Sequence, residues 1–427
     1  MNQRLIEPLT VPPDADVRVP GSKSLTNRAL VAAALARGTS VLEGVLFADD
    51  TEAMLTALQA LGVGVTVDHD AERVVVEGLD GAVPAGPTDL DVRLSGTTAR
   101  FLAPLLALGR GPYLLDAAPP FRARPMGPLF TALRDLGVTI EEQGAPGHLP
   151  AVFTSAGVRG GRLTVPADVS SQFLSGLLLS APLFPEGLEV AVATDLVSRP
   201  YVALTTAVMA AFGARVEAAD DGMSYVVAPT GYRAADYRIE PDASAASYFL
   251  AAAAITGGRV RIPGLGRRAH QGDVRFADLL GRMGAQVAWS ADAVEVRGTG
   301  TLRGIDVDMA DVSDTAQTLA AVAVFAEGPT RVRGIGFIRH KETDRVGAVV
   351  AELRRLGIDA REEDDGFVVH PGAPTAGVVH TYDDHRMAMS FALLGLRVPG
   401  IVIADPGCVA KTFPDYFAVL ESLRRAA

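Results

Sequence analysis

Residues 20–28, Pro-Gly-Ser-Lys-Ser-Leu-Thr-Asn-Arg, bring together side chains that suit the binding of a small anion. Lys23 and Arg28 supply positive charge, and Ser24 supplies a hydroxyl group beside the turn at Gly21. The stretch is not a nucleotide P-loop, because Gly-Lys-Ser/Thr occurs nowhere in the chain. A solvated turn would account for the same residues, so this stretch alone leaves both interpretations open.

Three further stretches combine glycine, hydroxyl groups or arginine near predicted helix starts. In residues 95–100, Gly96 stands beside hydroxyl residues, so an anion could approach the backbone closely, although a turn with an N-cap explains them equally well. Arg122 and Arg124 are predicted to open the helix that ends at Gly137, where they would oppose the helix dipole unless they face an anion. Residues 168–172 are typical of a helix N-cap first and of ligand recognition second.

Two charged runs in the C-terminal half predict a site more strongly. Residues 341–345 read Lys-Glu-Thr-Asp-Arg, and residues 382–389 read Tyr-Asp-Asp-His-Arg-Met-Ala-Met. Apolar segments enclose both runs, so we expect their charges to be paired or to hold a ligand rather than to form a solvated face. A Ser-His-Asp nucleophile is not supported, because no Gly-x-Ser-x-Gly elbow occurs, and Cys408 has no evident base partner in the sequence.

The composition predicts a soluble globular protein that does not bind nucleic acid. Lys and Arg number 39 against 50 Asp and Glu, a net charge of −11, so cationic clusters are local exceptions and a broad basic face is not expected. The N-terminus has no apolar signal-like region, and no apolar stretch reaches the roughly 18 residues of a membrane span. The single cysteine excludes an intrachain disulfide, and the seven histidines lack ligand spacing, so no metal is expected.

A repeated pattern indicates an α/β protein made of α+β units. Five apolar helical stretches each end in a glycine that a strand follows at once, at Gly62, Gly137, Gly213, Gly284 and Gly357, with 71 to 76 residues between them. A hairpin signal follows each glycine. A sixth helix is predicted at 416–423, and the strand-like residues 4–19 are expected to complete the last unit, which makes six units with both termini in one domain. Chance spacing of common helix-glycine-strand junctions is the alternative.

Along essentially its full length the chain resembles the 5-enolpyruvylshikimate-3-phosphate synthase family. The matches, in chain order, are Pro20-Gly21-Ser22-Lys23-Ser24 with Asn27-Arg28, Gly96-Thr97, Arg124-Pro125, Ser170-Ser171-Gln172, Ser198-Arg199-Pro200-Tyr201, Asp242-Ala243-Ser244, the runs at 341–345 and 384–389, and residues 410–416. The resemblance implies two domains of three repeated units each, residues 1–20 with 240–427 and residues 21–239, which close on a central site.

The resemblance also implies an activity and its residues. Members transfer the enolpyruvyl group of phosphoenolpyruvate to the 5-hydroxyl of shikimate 3-phosphate, release phosphate, and are the target of glyphosate. The residues matching positions around phosphoenolpyruvate are Lys23, Gly96, Arg124, Gln172, Arg345, Arg386 and Lys411. Those matching positions around shikimate 3-phosphate are Lys23, Ser24, Arg28, Ser170, Ser171, Gln172, Ser198, Tyr201, Asp314 and Lys341. Glu342 is the expected group for proton transfer at C3, and Asp314 with Lys23 for the 5-hydroxyl.

Two departures and two rivals accompany this interpretation. The family often has asparagine where this chain has Phe337, and some members have proline where it has Phe101. A UDP-N-acetylglucosamine enolpyruvyl transferase usually carries a cysteine in the loop equivalent to 119–124 and a Lys-Asn pair near its start, which this chain lacks. A non-catalytic phosphosugar binder would have lost the acidic groups. We therefore expect a cytoplasmic, monomeric transferase that needs no metal or organic cofactor.

Overall fold

The computed structural model describes residues 3–424. The chain divides into two compact units, one joining the stretch up to Pro20 to the stretch from Glu240 onward, and the other formed by Gly21–Ile239. Two short strands, β1 (Gln3–Ile6) and β2 (Asp14–Asp16), come first and belong to the discontinuous unit.

The continuous unit holds, in chain order, α1 (Lys23–Leu35), β3 (Thr39–Glu43), α2 (Asp49–Ala60), β4 (Gly64–Asp68), β5 (Arg73–Glu77), β6 (Thr88–Asp91), α3 (Gly96–Leu106), β7 (Tyr113–Asp116), α4 (Pro119–Arg122), α5 (Gly127–Asp135), β8 (Thr139–Glu142), β9 (Ala151–Thr154), β10 (Gly161–Val165), α6 (Ser171–Ser180), β11 (Leu188–Val192), α7 (Arg199–Ala211), β12 (Val216–Ala218), β13 (Ser224–Val227) and β14 (Asp236–Arg238).

The discontinuous unit continues with α8 (Ala243–Thr256), β15 (Arg259–Pro263), α9 (Phe276–Arg282), β16 (Gln286–Trp289), β17 (Ala293–Arg297), β18 (Leu302–Arg303), β19 (Asp306–Asp308), α10 (Ala316–Ala323), β20 (Ala326–Glu327), β21 (Thr330–Arg333), α11 (Arg345–Arg355), β22 (Ala360–Glu363), β23 (Gly366–Val369), β24 (Gly377–Val379), α12 (His385–Gly395), β25 (Ile401–Ala404) and α13 (Tyr416–Ser422). Short 3₁₀ turns precede α9, α10, α11 and α13.

Six sheets repeat one strand order, three in each unit. The continuous unit has β14-β3-β5-β4, β6-β7-β9-β8 and β10-β11-β13-β12, and the other has β2-β15-β17-β16, β19-β21-β23-β22 and β24-β25-β1. In each, the first pair is parallel and the following pairs are antiparallel. The predicted class of repeated α+β units is confirmed.

The prediction for the N-terminal strands is half correct. Strand β1 completes the last sheet, where Leu5 pairs with Val402, but β2 pairs with β15, in the sheet that follows the return of the chain at Glu240. Away from the two crossings between the units, the parallel edge strand of each sheet comes from the chain segment just before that sheet. At the crossings the partner is distant in sequence: β2 pairs with β15, and β14 pairs with β3. Such pairing across more than 190 residues leaves no local pattern to predict it.

The helices fall into an inner and an outer set. The inner helices α1, α3, α6, α8, α10 and α12 are buried on nearly all sides, as helices that are apolar all round require. The outer helices end at the predicted glycines, and Gly62, Gly137, Gly213, Gly284 and Gly357 all have φ between 82° and 111°. Because side chains disfavour this left-handed region, glycine ends each helix there and lets the strand begin. No helix within residues 3–424 is long and apolar enough to cross a membrane.

Candidate active site

The inner helices begin at the stretches that the sequence singled out. In chain order they start at Lys23, Gly96, Ser171, Ala243, Ala316 and His385. Five of them are capped by a side-chain oxygen that accepts a hydrogen bond from a backbone N–H of the first turn. The residues that supply this oxygen are Ser22, Ser95, Ser170, Asp242 and Asp384. Helix starts carry unpaired N–H groups and a partial positive charge, so each unit gathers three anion-favouring ends beside its charged side chains.

Lys23 is held by a carboxylate that the sequence did not single out. Its Nζ lies 3.3 Å from Oδ2 of Asp50, the buried second residue of α2. The backbone carbonyl of Asp50 also accepts a hydrogen bond of 3.2 Å from Thr98 on α3. Asp50 therefore connects the starts of α1, α2 and α3 and orients the Lys23 ammonium.

Arg28 is a buried cation whose hydrogen-bond partners are neutral. Its Nε donates to Oγ1 of Thr205 at 2.7 Å, and its Nη atoms donate to the carbonyls of Ser24 and Tyr201. The guanidinium also lies 5.1 Å from the centre of the Phe101 ring. Burial lowers the pKa of Arg28 to about 10, so it remains charged at neutral pH.

Gln172 is fixed at both ends of its amide. Nε2 donates to Oγ1 of Thr97 at 3.2 Å, and Oε1 accepts from Nη1 of Arg100 at 2.8 Å. Arg100 also donates to the carbonyl of Pro125. No sequence pattern indicated a role for Arg100, although it lies four residues after Gly96 on α3 and therefore on the same face of that helix as Gly96.

Gly96 lies against two arginines and an aromatic ring. A Cβ atom at this position would stand 3.1 Å from Cε2 of Phe121 and 3.2 Å from Nη1 of both Arg100 and Arg124. The guanidinium of Arg124 in turn lies 5.1 Å from the Phe121 ring. Glycine allows this close approach because it has no side chain.

The prediction that Arg122 and Arg124 open a helix is wrong. Arg122 ends the short helix α4 and pairs with Asp116 at 2.7 Å, whereas Arg124 lies in the loop before α5. A proline disfavours the helical conformation of the residue before it, and Pro125 follows Arg124 directly. Contact with Phe121, rather than a helix dipole, therefore places Arg124.

The remaining predicted residues of the continuous unit lie at helix starts. Ser24 is in the first turn of α1, Ser170 and Ser171 begin α6, and Ser198, with φ 52°, precedes Arg199 at the start of α7. Tyr201 is in the first turn of α7, and its carbonyl accepts from Arg28. The structure therefore brings the predicted residues of this unit to the starts of α1, α3, α6 and α7 and to the loop before α5.

In the discontinuous unit, Asp314 lies at the centre of three cations. Its Oδ1 is 2.6 Å from Nζ of Lys341 and 3.2 Å from Nη1 of Arg345, and its Oδ2 is 2.7 Å from Nη2 of Arg386. Burial raises the pKa of Asp314, but Arg386, Lys341 and Arg345 outweigh burial and hold that pKa well below its usual range. Asp314 is therefore ionised at neutral pH.

Lys341 has an unusual setting. Its Nζ lies 5.6 Å from the centre of the Phe337 ring, so the ring packs against the ammonium group. Burial lowers the pKa of Lys341, Asp314 opposes this, and Arg345 lowers the pKa further, so that it is below the usual value for lysine.

Arg345 connects the acidic groups of this unit. It is the first residue of α11, and its guanidinium makes a forked contact with Asp384, from Nε to Oδ2 at 2.7 Å and from Nη2 to Oδ1 at 3.2 Å. Nη2 also donates to Oε2 of Glu342 at 2.8 Å. Burial lowers the pKa of Arg345, but the carboxylates of Asp384 and Glu342 raise it above its ordinary value.

Glu342 is held at both carboxylate oxygens. Oε2 accepts from Arg345, and Oε1 lies 3.1 Å from Nζ of Lys411. The side chains of Glu342 and Lys411 are 13% and 8% exposed, so the pair is nearly buried within its own unit but keeps a small surface accessible to solvent. Such two-sided contact fixes the direction of the carboxylate, which proton transfer to or from carbon requires.

Cations cluster near these helix starts in both units. In the discontinuous unit Lys341, Arg345, Arg386 and Lys411 surround Asp314, Glu342 and Asp384, and in the continuous unit Lys23, Arg28, Arg100 and Arg124 accompany Asp50. Fixed positive charge in partly buried positions binds anions and stabilises charge that develops on them. Asp384, which lies in the predicted run at 382–389, and Asp50, which no sequence pattern assigned to the site, orient two of these cations.

Two other chemistries find no support in the described residues. Burial raises the pKa of the Cys408 thiol to about 12, which keeps it protonated and a poor nucleophile. Within residues 3–424, no group of three or more His, Cys, Asp and Glu side chains is arranged to hold a metal ion.

Comparison with known proteins gives the class and then the family. The fold is that of an enolpyruvyl transferase: an EPSP synthase structure from Acinetobacter baumannii matches with a TM-score of 0.83 and 27% identity over 99% of this chain and 98% of that one. The enolpyruvyl transferase NikO from Streptomyces tendae matches at 0.75 and 22% over 99% and 97%, a likeness of fold alone. The chain belongs to the EPSP synthase (3-phosphoshikimate 1-carboxyvinyltransferase) family, whose sequence profile matches residues 10–420.

Curated relatives agree along the whole chain. A 3-phosphoshikimate 1-carboxyvinyltransferase from Nostoc punctiforme is 48% identical over 412 residues, which cover 96% of this chain and 97% of the relative. One from Yersinia pseudotuberculosis is 45% identical over 430 residues, covering 99% and 100%. The resemblance inferred from the motifs is confirmed, and the chain is a transferase of the shikimate pathway.

Proposed function

We propose that this protein transfers the enolpyruvyl group of phosphoenolpyruvate to the 5-hydroxyl of shikimate 3-phosphate. The 5-hydroxyl oxygen attacks C2 and loses its proton while C3 gains one, and the resulting tetrahedral adduct then loses phosphate and a C3 proton. Both substrates are anions, and the cations clustered in each unit support their binding. The observation that carries the proposal is the cluster around Asp314, in which a buried carboxylate, three cations and Glu342 are held in direct contact.

The proposed roles follow from these contacts. Glu342, held by Arg345 and Lys411, transfers the proton at C3. Asp314, ionised because its pKa is low, accepts the hydrogen bond of the 5-hydroxyl, and Lys23 assists there.

The proposed binding residues come from both units. For phosphoenolpyruvate they are Lys23, Gly96, Arg124, Gln172, Arg345, Arg386 and Lys411, and for shikimate 3-phosphate they are Lys23, Ser24, Arg28, Ser170, Ser171, Gln172, Ser198, Tyr201, Asp314 and Lys341. We further propose that the two units are separate domains, and that no metal or organic cofactor takes part. Substitution of Arg124 and, separately, of Arg386 should each weaken the binding of phosphoenolpyruvate, which calorimetry measures.

The decisive assay measures phosphate release from phosphoenolpyruvate with alternative acceptors. We expect release with shikimate 3-phosphate and none above background with UDP-N-acetylglucosamine. Release with UDP-N-acetylglucosamine alone would show that the protein is instead a UDP-N-acetylglucosamine enolpyruvyl transferase. No release with either acceptor from folded protein would favour a binding protein.

Binding of shikimate 3-phosphate should weaken at alkaline pH sooner than an ordinary lysine would allow. Burial lowers the pKa of Lys341, so its charge is lost as pH rises through this lowered value rather than near the usual value of about 10.4. Calorimetric titrations from pH 7 upward measure this effect. The control is Lys341→Arg, whose guanidinium stays charged, so its alkaline weakening should be smaller. An identical alkaline profile for the two proteins would contradict the role of Lys341.

A methyl group at Gly96 should discriminate between inhibitor and substrate. In Gly96→Ala the new Cβ would press on Phe121 and the guanidinium groups of Arg100 and Arg124 at 3.1–3.2 Å. Displacement of Arg124 should raise the glyphosate inhibition constant about 10-fold or more, and the KM for phosphoenolpyruvate by less. The matched control is Gly127→Ala, whose Cβ would meet only Gly147 at an ordinary 3.5 Å. Equal inhibition of all three proteins would remove Gly96 from the proposed site.

The solution state and location are also proposals. We propose a cytoplasmic monomer, supported by the presence of the proposed site residues within one chain. Light scattering on a size-exclusion column should give the mass of one 44.5 kDa chain, and a doubled mass would overturn it.

A further inference from the structure

A buried carboxylate outside the proposed binding residues lies behind the charged run at 382–386. Glu352 is two turns after Arg345 on α11, and its side chain is 0% exposed. Its Oε1 accepts from the Tyr382 hydroxyl at 2.7 Å, and its Oε2 accepts from the backbone N–H of His380 at 2.9 Å. A carboxylate can accept at both atoms, whereas an amide offers an acceptor at only one of them.

The segment that Glu352 holds, residues 380–383, is strained. Tyr382 and Asp383 have φ of 55° and 54°, two consecutive non-glycine residues in the left-handed region. Such a conformation persists only where the surroundings enforce it. Tyr382 is 41% exposed, so burial of its ring does little to enforce the turn. Burial and the contact with Glu352 both raise the pKa of Tyr382, so its hydroxyl remains a hydrogen-bond donor.

The turn leads directly into Asp384, which orients the Arg345 guanidinium and caps α12 at the backbone of Arg386. Asp384 donates its N–H to the carbonyl of Thr381 at 2.9 Å, grips Arg345 with both oxygens, and accepts the backbone N–H of Arg386 at 2.9 Å. Helix α11 therefore holds this segment at two places, through Arg345 at its first residue and through Glu352 two turns later.

We propose that Glu352 is a positioning residue, which fixes the 380–383 turn through Tyr382 and so sets Asp384, Arg345 and Arg386 for the binding of phosphoenolpyruvate. Only the reference to phosphoenolpyruvate rests on the proposed function. The hold of Glu352 on the turn, and of the turn on Asp384, stands on the contacts alone.

The test compares Glu352→Gln and Tyr382→Phe with the parent protein. Glu352→Gln leaves one acceptor oxygen for the two donors of the turn, and Tyr382→Phe removes one of those donors, so each variant loses one of the two hydrogen bonds that hold the turn. Asp384 and Arg345 should then be positioned less well, and the KM for phosphoenolpyruvate should rise about 10-fold. The KM for shikimate 3-phosphate should change less, because most of its proposed binding residues belong to the other unit. The double variant should be little worse than Glu352→Gln, since without the Tyr382 hydroxyl the single amide oxygen can still accept from His380.

Arg355→Gln is the matched control. Arg355 lies 3.2–3.3 Å from Glu352 and is 48% exposed, so this variant removes an ion pair of Glu352 and a contact with the Tyr382 hydroxyl, while both bonds from Glu352 to the turn stay in place. Its kinetic constants should stay within about twofold of the parent. If Arg355→Gln raised the KM for phosphoenolpyruvate as much as Glu352→Gln does, the proposal would be overturned. Loss of charge, rather than loss of the hydrogen bonds to the 380–383 turn, would then be responsible.

Amide hydrogen exchange gives a second readout that needs no activity. In Glu352→Gln and Tyr382→Phe the N–H groups of Asp384 and Arg386 should exchange at least about 10-fold faster, with the other inner helix starts unchanged. Parental KM and parental exchange in folded Glu352→Gln would overturn the proposal. If that variant does not fold, Tyr382→Phe decides by the same two criteria. If the parent releases no phosphate, the proposed function fails, and exchange alone decides whether Glu352 positions Asp384.

Discussion

Glu342→Gln should lower turnover about 100-fold or more while both substrates bind nearly as before. The amide keeps the size of the side chain and still offers an oxygen to Arg345 or Lys411, which lie 2.8 Å and 3.1 Å from the carboxylate. It cannot carry the proton that C3 gains and later loses. Single-turnover phosphate release, with binding measured separately by calorimetry, distinguishes these effects.

The control for this variant is Glu189→Gln. Glu189 is another carboxylate paired with an arginine, Arg162 at 2.8 Å, but it is 48% exposed on a sheet of the other unit. Its loss should leave turnover unchanged. Turnover of Glu342→Gln within threefold of the parent would rule out Glu342 as the proton carrier, and a fall in binding of the same size as the fall in turnover would assign it to binding instead.

Asp314→Ala should reduce the free energy of unfolding by about 3–5 kcal/mol. Asp314 faces Lys341, Arg345 and Arg386 at 2.6–3.2 Å, and its removal leaves the buried Arg345 and Arg386 and the partly exposed Lys341 without their shared anion. Urea denaturation of the ligand-free protein measures the loss. Because the folded state holds the pKa of Asp314 well below its usual range, its contribution is fully present above about pH 4 and is lost as pH falls through the lowered pKa.

Asp306→Ala provides the comparison within the same unit. Asp306 also contacts two arginines, Arg333 at 2.7 Å and Arg331 at 4.0 Å, but it is 52% exposed, so water already screens its charge. We expect little change in stability. Equal losses for the two variants would show that the cluster around Asp314 is not held by its buried charge.

Local chemistry made the repeated units predictable from the sequence. A glycine that ends a helix must adopt positive φ, and this requirement marked five outer helices in advance. The partner of β2 was not predictable, because a three-residue strand shows which residues are extended and not which distant edge they join. The helix start assigned to Arg122 failed although Pro125 carried the opposing signal.

The sequence predicted which residues form the candidate site better than it predicted the contacts between them. Enclosed charges at 341–345 and 382–386 indicated pairing, and the structure pairs them. Which carboxylate meets which cation depends on contacts between α10, α11 and α12 that no spacing encodes. For that reason Asp384 was expected in the site without a specific partner, Asp50 received no role, and Glu352, on an outer helix, did not stand out at all.

The pairing of β1 with β25 has a consequence for the order in which the sheets can be completed on the ribosome. Residues 21–239 contain all the strands of their own three sheets and can fold while synthesis continues. Strand β1 is synthesised before these residues, yet its partner β25 (Ile401–Ala404) is synthesised after them. Strand β1 must therefore stay unpaired until then, so a strand made before the continuous unit becomes native after it.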